Sequence, residues 1–104
     1  MLERAIEGKV KSWAVSKGIL PLKMTPRGVV GYPDDFFFES MGSRVGRPAH
    51  PPICIIEFKT EKGRVSPIQE VRIKEMRDRG YPVLVCRKVE DGIQFLREVF
   101  RIVD

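Results

Sequence analysis

Histidine is almost missing from this sequence: His50 is the only one in 104 residues. That scarcity excludes histidine-rich zinc hydrolases, HNH-type nucleases, Ser-His-Asp triads and Cys-His nucleophiles together. Cysteine is nearly as scarce. Cys54 and Cys86 both lie inside apolar runs that read as strands, and two thiols do not make a metal cage by themselves. No stretch approaches the ~20 consecutive apolar residues that a membrane span needs. The opening residues, MLERAIEGKVK, mix charges into the first turns and lack the apolar segment of a secretory signal, so a cytoplasmic protein is expected. There is no internal repeat, low-complexity tract or linker. The length fits one small domain, expected to span residues 1–104. Nineteen Lys and Arg against 14 Asp and Glu leave a net charge of +5, which favours a polyanionic partner.

Apolar positions at Leu2, Ile6, Val10, Trp13 and Ala14 predict a helix over 2–17, stopped by Gly18. Ile19 to Met24 contains Pro21 and reads as an edge strand. After a turn-rich stretch, Asp34 to Glu39 carries Phe36, Phe37 and Phe38 and reads as a strand buried on nearly both faces. Ile53 to Lys59 (ICIIEFK) is the strongest strand, dense in β-branched and aromatic residues. Ser66 and Pro67 predict an N-cap with proline at N1, opening a helix to Arg79 with apolar positions Ile68, Val71, Ile73 and Met76, ended by Gly80. Val83 to Cys86 is a further strand. Asp91 is expected to cap a last helix with Ile93, Leu96, Phe100 and Val103 on one side. The order α-β-β-β-α-β-α fits an α/β fold with a mixed sheet flanked by helices, the Ser66–Arg79 helix crossing between two parallel strands.

Chemistry concentrates at two strand ends. Strand side chains alternate, so Glu57 and Lys59 share a face while Phe58 points away with its carbonyl beside them. If the strand beginning at Asp34 is a neighbour, Asp34 and Glu57 meet on one side of the sheet. Two carboxylates, a carbonyl and waters suit magnesium or manganese, not zinc. A Glu-x-Lys pair ending a core strand is costly to bury without partners, although a strand end emerging into solvent would carry the same pair idly. Lys62 and Arg64 sit on the following turn, and Arg44, Arg47 and His50 lie in a long segment from Ser40 to Pro52. That segment could reach DNA, contact a second subunit, or do neither. Arg72, Lys74, Arg77 and Arg79 line the second helix.

The strings Gly31-Tyr32-Pro33-Asp34 and Ile55-Ile56-Glu57-Phe58-Lys59 resemble the core of the PD-(D/E)xK nuclease superfamily. The spacing Gly63-x-x-Ser66-x-x-Gln69 and the run Gly80-Tyr81-Pro82-Val83 narrow the resemblance to the virus-type replication-repair nuclease (VRR-NUC) domain, over about Glu3 to Gly92. The resemblance implies a restriction-endonuclease-like αβββαβ core. It implies Asp34, Glu57 and the Phe58 carbonyl as ligands of Mg2+, with Mn2+ able to substitute, and Lys59 as the residue that activates water and stabilises the phosphate. Gln69 matches the family's glutamine, and Lys23 a lysine of its first strand, a candidate DNA contact alongside Arg44, Arg47, Lys62 and Arg64. A catalytic glutamate on the first helix could be Glu3 or Glu7. Asp35 stands where the family often has a basic residue. Stand-alone members are similar to phage and bacterial junction resolvases, which implies a homodimeric, Mg2+-dependent endodeoxyribonuclease acting on branched DNA, a four-way junction first and a flap second. A binding module without turnover and an RNA nuclease are the competing functions.

Overall fold

The apolar spacing of the first residues produces a helix, α1 (Glu3–Ser16), that buries Ile6, Val10 and Ala14. Gly18, at φ +79°, ends it: its N–H bonds the Val15 carbonyl and that of Ile19 bonds the Ala14 carbonyl, both at 3.0 Å. A residue with a Cβ would be strained in that left-handed turn. The computed structural model describes residues 1–24, 28–40 and 52–103. Arg44, Arg47 and His50 lie outside the described residues.

The remaining elements are β1 (Leu20–Lys23), β2 (Asp35–Phe38), β3 (Ile53–Phe58), α2 (Pro67–Asp78), β4 (Val83–Cys86) and α3 (Val89–Phe100). They form one four-stranded sheet in the order β1-β2-β3-β4. The first three strands pair antiparallel, and β3 pairs parallel with β4. The parallel pair needs a crossover, and α2 supplies it. Pro21 lies on an edge strand, as its missing N–H requires.

Strand alternation divides the core in two. Phe37, Cys54, Ile56 and Phe58 pack with Ile6, Val10, Ala14, Leu96 and Phe100, so α1 and α3 cover one face. Ile55 and Val83 pack with Ile73 of α2 on the other. Gly92 makes the α1–α3 contact possible, because a Cβ there would stand 2.8 Å from Val10 Cγ2 and 3.1 Å from Cys86 Sγ.

Three local expectations fail for identifiable reasons. The N-cap of α3 is Lys88, not Asp91, because the helix starts at Val89 and leaves Asp91 in its first turn, where its charge meets the helix dipole. Val103 is outside α3 and 95% exposed, since Arg101 adopts a left-handed conformation (φ 53°) and stops the helix at Phe100. On α2 the inward line is Gln69, Ile73 and Met76, with Ile73 buried, whereas Ile68 and Val71 are exposed on its flanks.

Candidate active site

The β2–β3 register pairs Asp35 with Ile56, Phe36 with Ile55 and Phe37 with Cys54. The Glu39 N–H bonds the Pro52 carbonyl at 2.9 Å, which makes 39/52, 37/54 and 35/56 the hydrogen-bonded pairs of the ladder. Carried one step beyond the ladder, the register sets Asp34 against Glu57 in the alternate class, and the Asp34 charge acts on the Glu57 carboxyl. Both project on the face of Phe36 and Ile55, the side that α2 covers. Lys59 follows Glu57 by two residues on that face, its N–H still joined to the Cys86 carbonyl at 2.9 Å.

Burial raises the Glu57 carboxyl above its ordinary range; Lys59 pulls it back, while Asp34, Glu3 and Asp35 push it further up. Negative charge thus converges on Glu57, a condition that a cation relieves. Continuing the register, Phe58 stands opposite Pro33, which has no N–H to give. The ladder therefore offers the Phe58 carbonyl no backbone donor on that side, although Phe58 is only 1% exposed. A buried carbonyl without a ladder donor is uncommon, and this one adjoins the positions of Asp34 and Glu57. The donor set is all oxygen and suits a hard divalent cation. Among the described residues no group of three or more His, Cys, Asp or Glu side chains could hold a metal, so such an ion would rest on two carboxylates, the carbonyl and waters.

The two helix glutamates have different surroundings. Glu3 is exposed and near enough to act on Glu57. Glu7 pairs with Lys11 at 2.9 Å and Lys23 at 3.5 Å. Lys11 also lies 2.6 Å from Asp35, whose side chain is 4% exposed. Burial works against the Lys11 charge, but Asp35 and Glu7 outweigh it and hold the ammonium above its usual range. Asp35 therefore faces α1, on the opposite side of the sheet from Asp34. Lys23 pairs with Asp35 across β1 and β2 and shares that far face, its side chain half exposed beside Glu7.

Gln69 sits on the inward line of α2 and closes a reciprocal cap: its Oε1 accepts from the Ser66 N–H at 3.0 Å, and its N–H donates to Ser66 Oγ at 3.2 Å. The side-chain carbonyl is committed there, which leaves the amide NH2 as the group turned to other work. Lys62 and Arg64 are exposed on the turn after β3, and Arg87 fixes that turn through the carbonyls of Thr60 (2.9 Å) and Gly63. The basic row of α2 is engaged inside the molecule. Arg77 donates twice to the Val83 carbonyl (3.2 and 2.6 Å), Arg79 donates to the Glu75 carbonyl (2.9 Å), and Lys74 pairs with Asp78 (2.7 Å).

A cluster that the sequence reading did not assemble precedes Asp34. Tyr32 Oη donates to Glu75 Oε2 at 2.6 Å, and the Arg72 guanidinium lies 4.6 Å from the Tyr32 ring centroid while bonding the Val30 carbonyl at 3.2 Å. The available signal was Arg72 and Glu75 three apart on one helix face; nothing local tied them to Tyr32.

The family model for the VRR-NUC domain matches residues 27–90, which include Asp34, Glu57, Lys59 and Gln69. No curated protein matches the sequence. Among solved structures, one described as a VRR-NUC domain is similar at a TM-score of 0.71 and 21% identity, over 91% of this chain and 94% of that one. Another, described as a VRR-NUC domain protein, is similar at 0.70 and 20%, over 100% and 92% respectively. These likenesses carry the fold, and the restriction-endonuclease-like PD-(D/E)xK architecture, a mixed sheet flanked by helices, is the one present. The chain belongs to the VRR-NUC domain family and is a nuclease, with DNA the substrate that membership implies.

Proposed function

We propose that this nuclease is a Mg2+-dependent endonuclease that hydrolyses phosphodiester bonds of branched DNA, with a four-way junction as substrate and a homodimer as the working form. The observation that supports the reading is that the charges of Asp34 and Lys59 both act on the Glu57 carboxyl, where the β2–β3 register carried one step beyond its ladder brings Asp34 to Glu57. A hard divalent cation at these oxygens supplies charge neutralisation at the phosphate and a lowered pKa for water. Asp34, Glu57 and the carbonyl of Phe58 would hold it, and Mn2+, which takes the same ligands, would substitute. Lys59 orients the attacking water and stabilises the charge that builds on the scissile phosphate. Gln69 donates from its free amide to that water, and Glu3, the helix glutamate nearer the site, accepts a hydrogen bond from solvent at its rim. Lys62 and Arg64 contact phosphates beside the cut strand, giving affinity without sequence readout. The products are a 5′-phosphate and a 3′-hydroxyl.

The test is cleavage of labelled four-way junctions, flaps, linear duplex and RNA, each with Mg2+ or EDTA. Junction cutting that needs Mg2+ and falls about 10²–10³-fold in Lys59→Ala is the expected result. Cutting that survives Lys59→Ala or EDTA rejects the mechanism. A preference for flaps or RNA replaces the substrate, and binding without cutting on every substrate makes the protein a binding module.

A further inference from the structure

Asp34 is not itself in a strand. Its carbonyl accepts from the Met24 N–H at 2.8 Å, which ties it to the end of β1, but the residues before it, Gly31 to Pro33, have no ladder of their own. Their anchorage goes to α2 through two side chains, Arg72 and Glu75. Arg72 Nε donates to the Val30 carbonyl at 3.2 Å, its guanidinium lies 4.6 Å from the centroid of the Tyr32 ring, and its Nη1 reaches Glu75 Oε1 at 3.1 Å. Glu75 in turn accepts from the Tyr32 hydroxyl at 2.6 Å, which closes a ring of three side chains. The fit is close. A Cβ on Gly31, at φ +89°, would stand 2.8 Å from Ile68 Cγ1 and 3.3 Å from Arg72 Cγ. The helix is itself held at two places, by its reciprocal cap at Ser66 and Gln69 and by buried Ile73 against Ile55 and Val83.

We infer that Arg72 is a positioning residue for Asp34: acting through Tyr32 and the Val30 carbonyl, it fixes the turn that aims the Asp34 carboxylate at Glu57. The inference rests on the cation site proposed above. The Asp34 and Glu57 carboxylates act on one another and repel without a counter-ion, so a freely hinged turn would let Asp34 swing away. The clamp removes that freedom beforehand, and the site meets its cation already assembled. Arginine suits the task because its planar fork serves a carbonyl and a carboxylate together while its face stacks on an aromatic ring.

The experiment is calorimetric titration of the folded protein with Mn2+, alongside the Mg2+ dependence of junction cleavage and thermal melts in EDTA. Arg72→Leu is expected to weaken Mn2+ binding about tenfold and raise the half-saturating Mg2+ concentration to match. Turnover at saturating Mg2+ is expected to return to within about threefold of the parent. Tyr32→Phe, which keeps the ring and loses only the hydroxyl, shifts both in the same direction by less. Arg72→Lys, with charge but no fork, recovers only part of the loss. Val10→Ala provides the control, since it destabilises the core on the sheet face away from the Tyr32–Arg72–Glu75 clamp. Equal Mn2+ affinity in Arg72→Leu and the parent overturns the inference, as does an equal weakening in Val10→Ala. Failure of the underlying cation site has a different signature: Asp34→Asn would then bind Mn2+ as the parent does.

Discussion

Glu57 holds its charge at a cost. Burial and the neighbouring carboxylates of Asp34, Glu3 and Asp35 raise its pKa above 4.5, and Lys59 offsets only part of this. A carboxyl whose folded pKa is raised binds its proton more readily in the native state than in the unfolded chain. Its contribution to stability is therefore full below the unfolded value and is lost as pH rises through the folded one. In EDTA, Glu57→Gln should then be more stable than the parent at pH 7, by about 0.5–2 kcal/mol, a gain typical of relieving strain at a functional site. The difference should vanish below pH 4.5, where the parent's carboxyl is protonated and nearly isosteric with the amide. Denaturant melts at the two pH values measure it, and a Glu57→Gln variant no more stable than the parent at pH 7 would show that the convergence of charge is harmless. Asp35, one residue from Asp34, shows how completely alternation changes a role. It is buried on the far face against Lys11, where its partner is structural.

At the scale of the elements, α2 carries structure and chemistry on one line. Ser66 and Gln69 close the cap, and Gln69, Ile73 and Met76 face the sheet. Ser66→Ala and Gln69→Ala should each cost about 0.5–2 kcal/mol, since either opens the reciprocal cap. Turnover separates them: Gln69→Ala also removes the free amide and should lose more activity than Ser66→Ala at equal loss of stability, whereas matched losses would confine Gln69 to the cap. Much of this was legible in the sequence. Ser66-Pro67 announces a helix start, and Gly18 and Gly80 sit at positive φ where helices end. The period-two rule put Glu57 and Lys59 on one face, and it needed only the pairing of two strands to bring Asp34 to them. The clamp of Tyr32, Arg72 and Glu75 and the ion pair of Lys11 with Asp35 were not legible. Each joins segments far apart in the chain, and a periodic pattern reveals which face of a helix turns inward without revealing what it meets there. For the same reason the sequence shows Arg72, Arg77 and Arg79 only as a basic row on the second helix, and not that carbonyls of their own chain hold them.

Across the whole molecule the two sheet faces are unequally covered. Helices α1 and α3 close one face, α2 lies against β3 and β4 on the other, and among the described elements none packs on that second face over β1 and β2. Leu20 and Leu22 oppose Phe38 and Phe36 there, at 56% and 42% exposure, and an apolar groove continues through Met24, Ile53, Met76 and Tyr81. An open apolar sheet face of this kind suits association with a second copy better than contact with a polyanion. Pairing through the β1 edge is disfavoured. The Met24 N–H bonds the Asp34 carbonyl, so the alternate position at Pro21 turns its nitrogen outward, where it offers no donor. The dimer proposed for junction cutting would therefore form face to face, and Leu22→Lys should separate it. Because Leu22 is already partly exposed, the substitution should leave the thermal midpoint of the monomer within a few degrees of the parent, about 1 kcal/mol or less. Sedimentation should then report a dimer for the parent and a monomer for Leu22→Lys. On a four-way junction the monomer should still nick, having kept Asp34, Glu57 and Lys59, but lose the paired incisions in opposing strands. A parent that sediments as a monomer while still making paired cuts would remove the dimer and leave the catalytic reading intact.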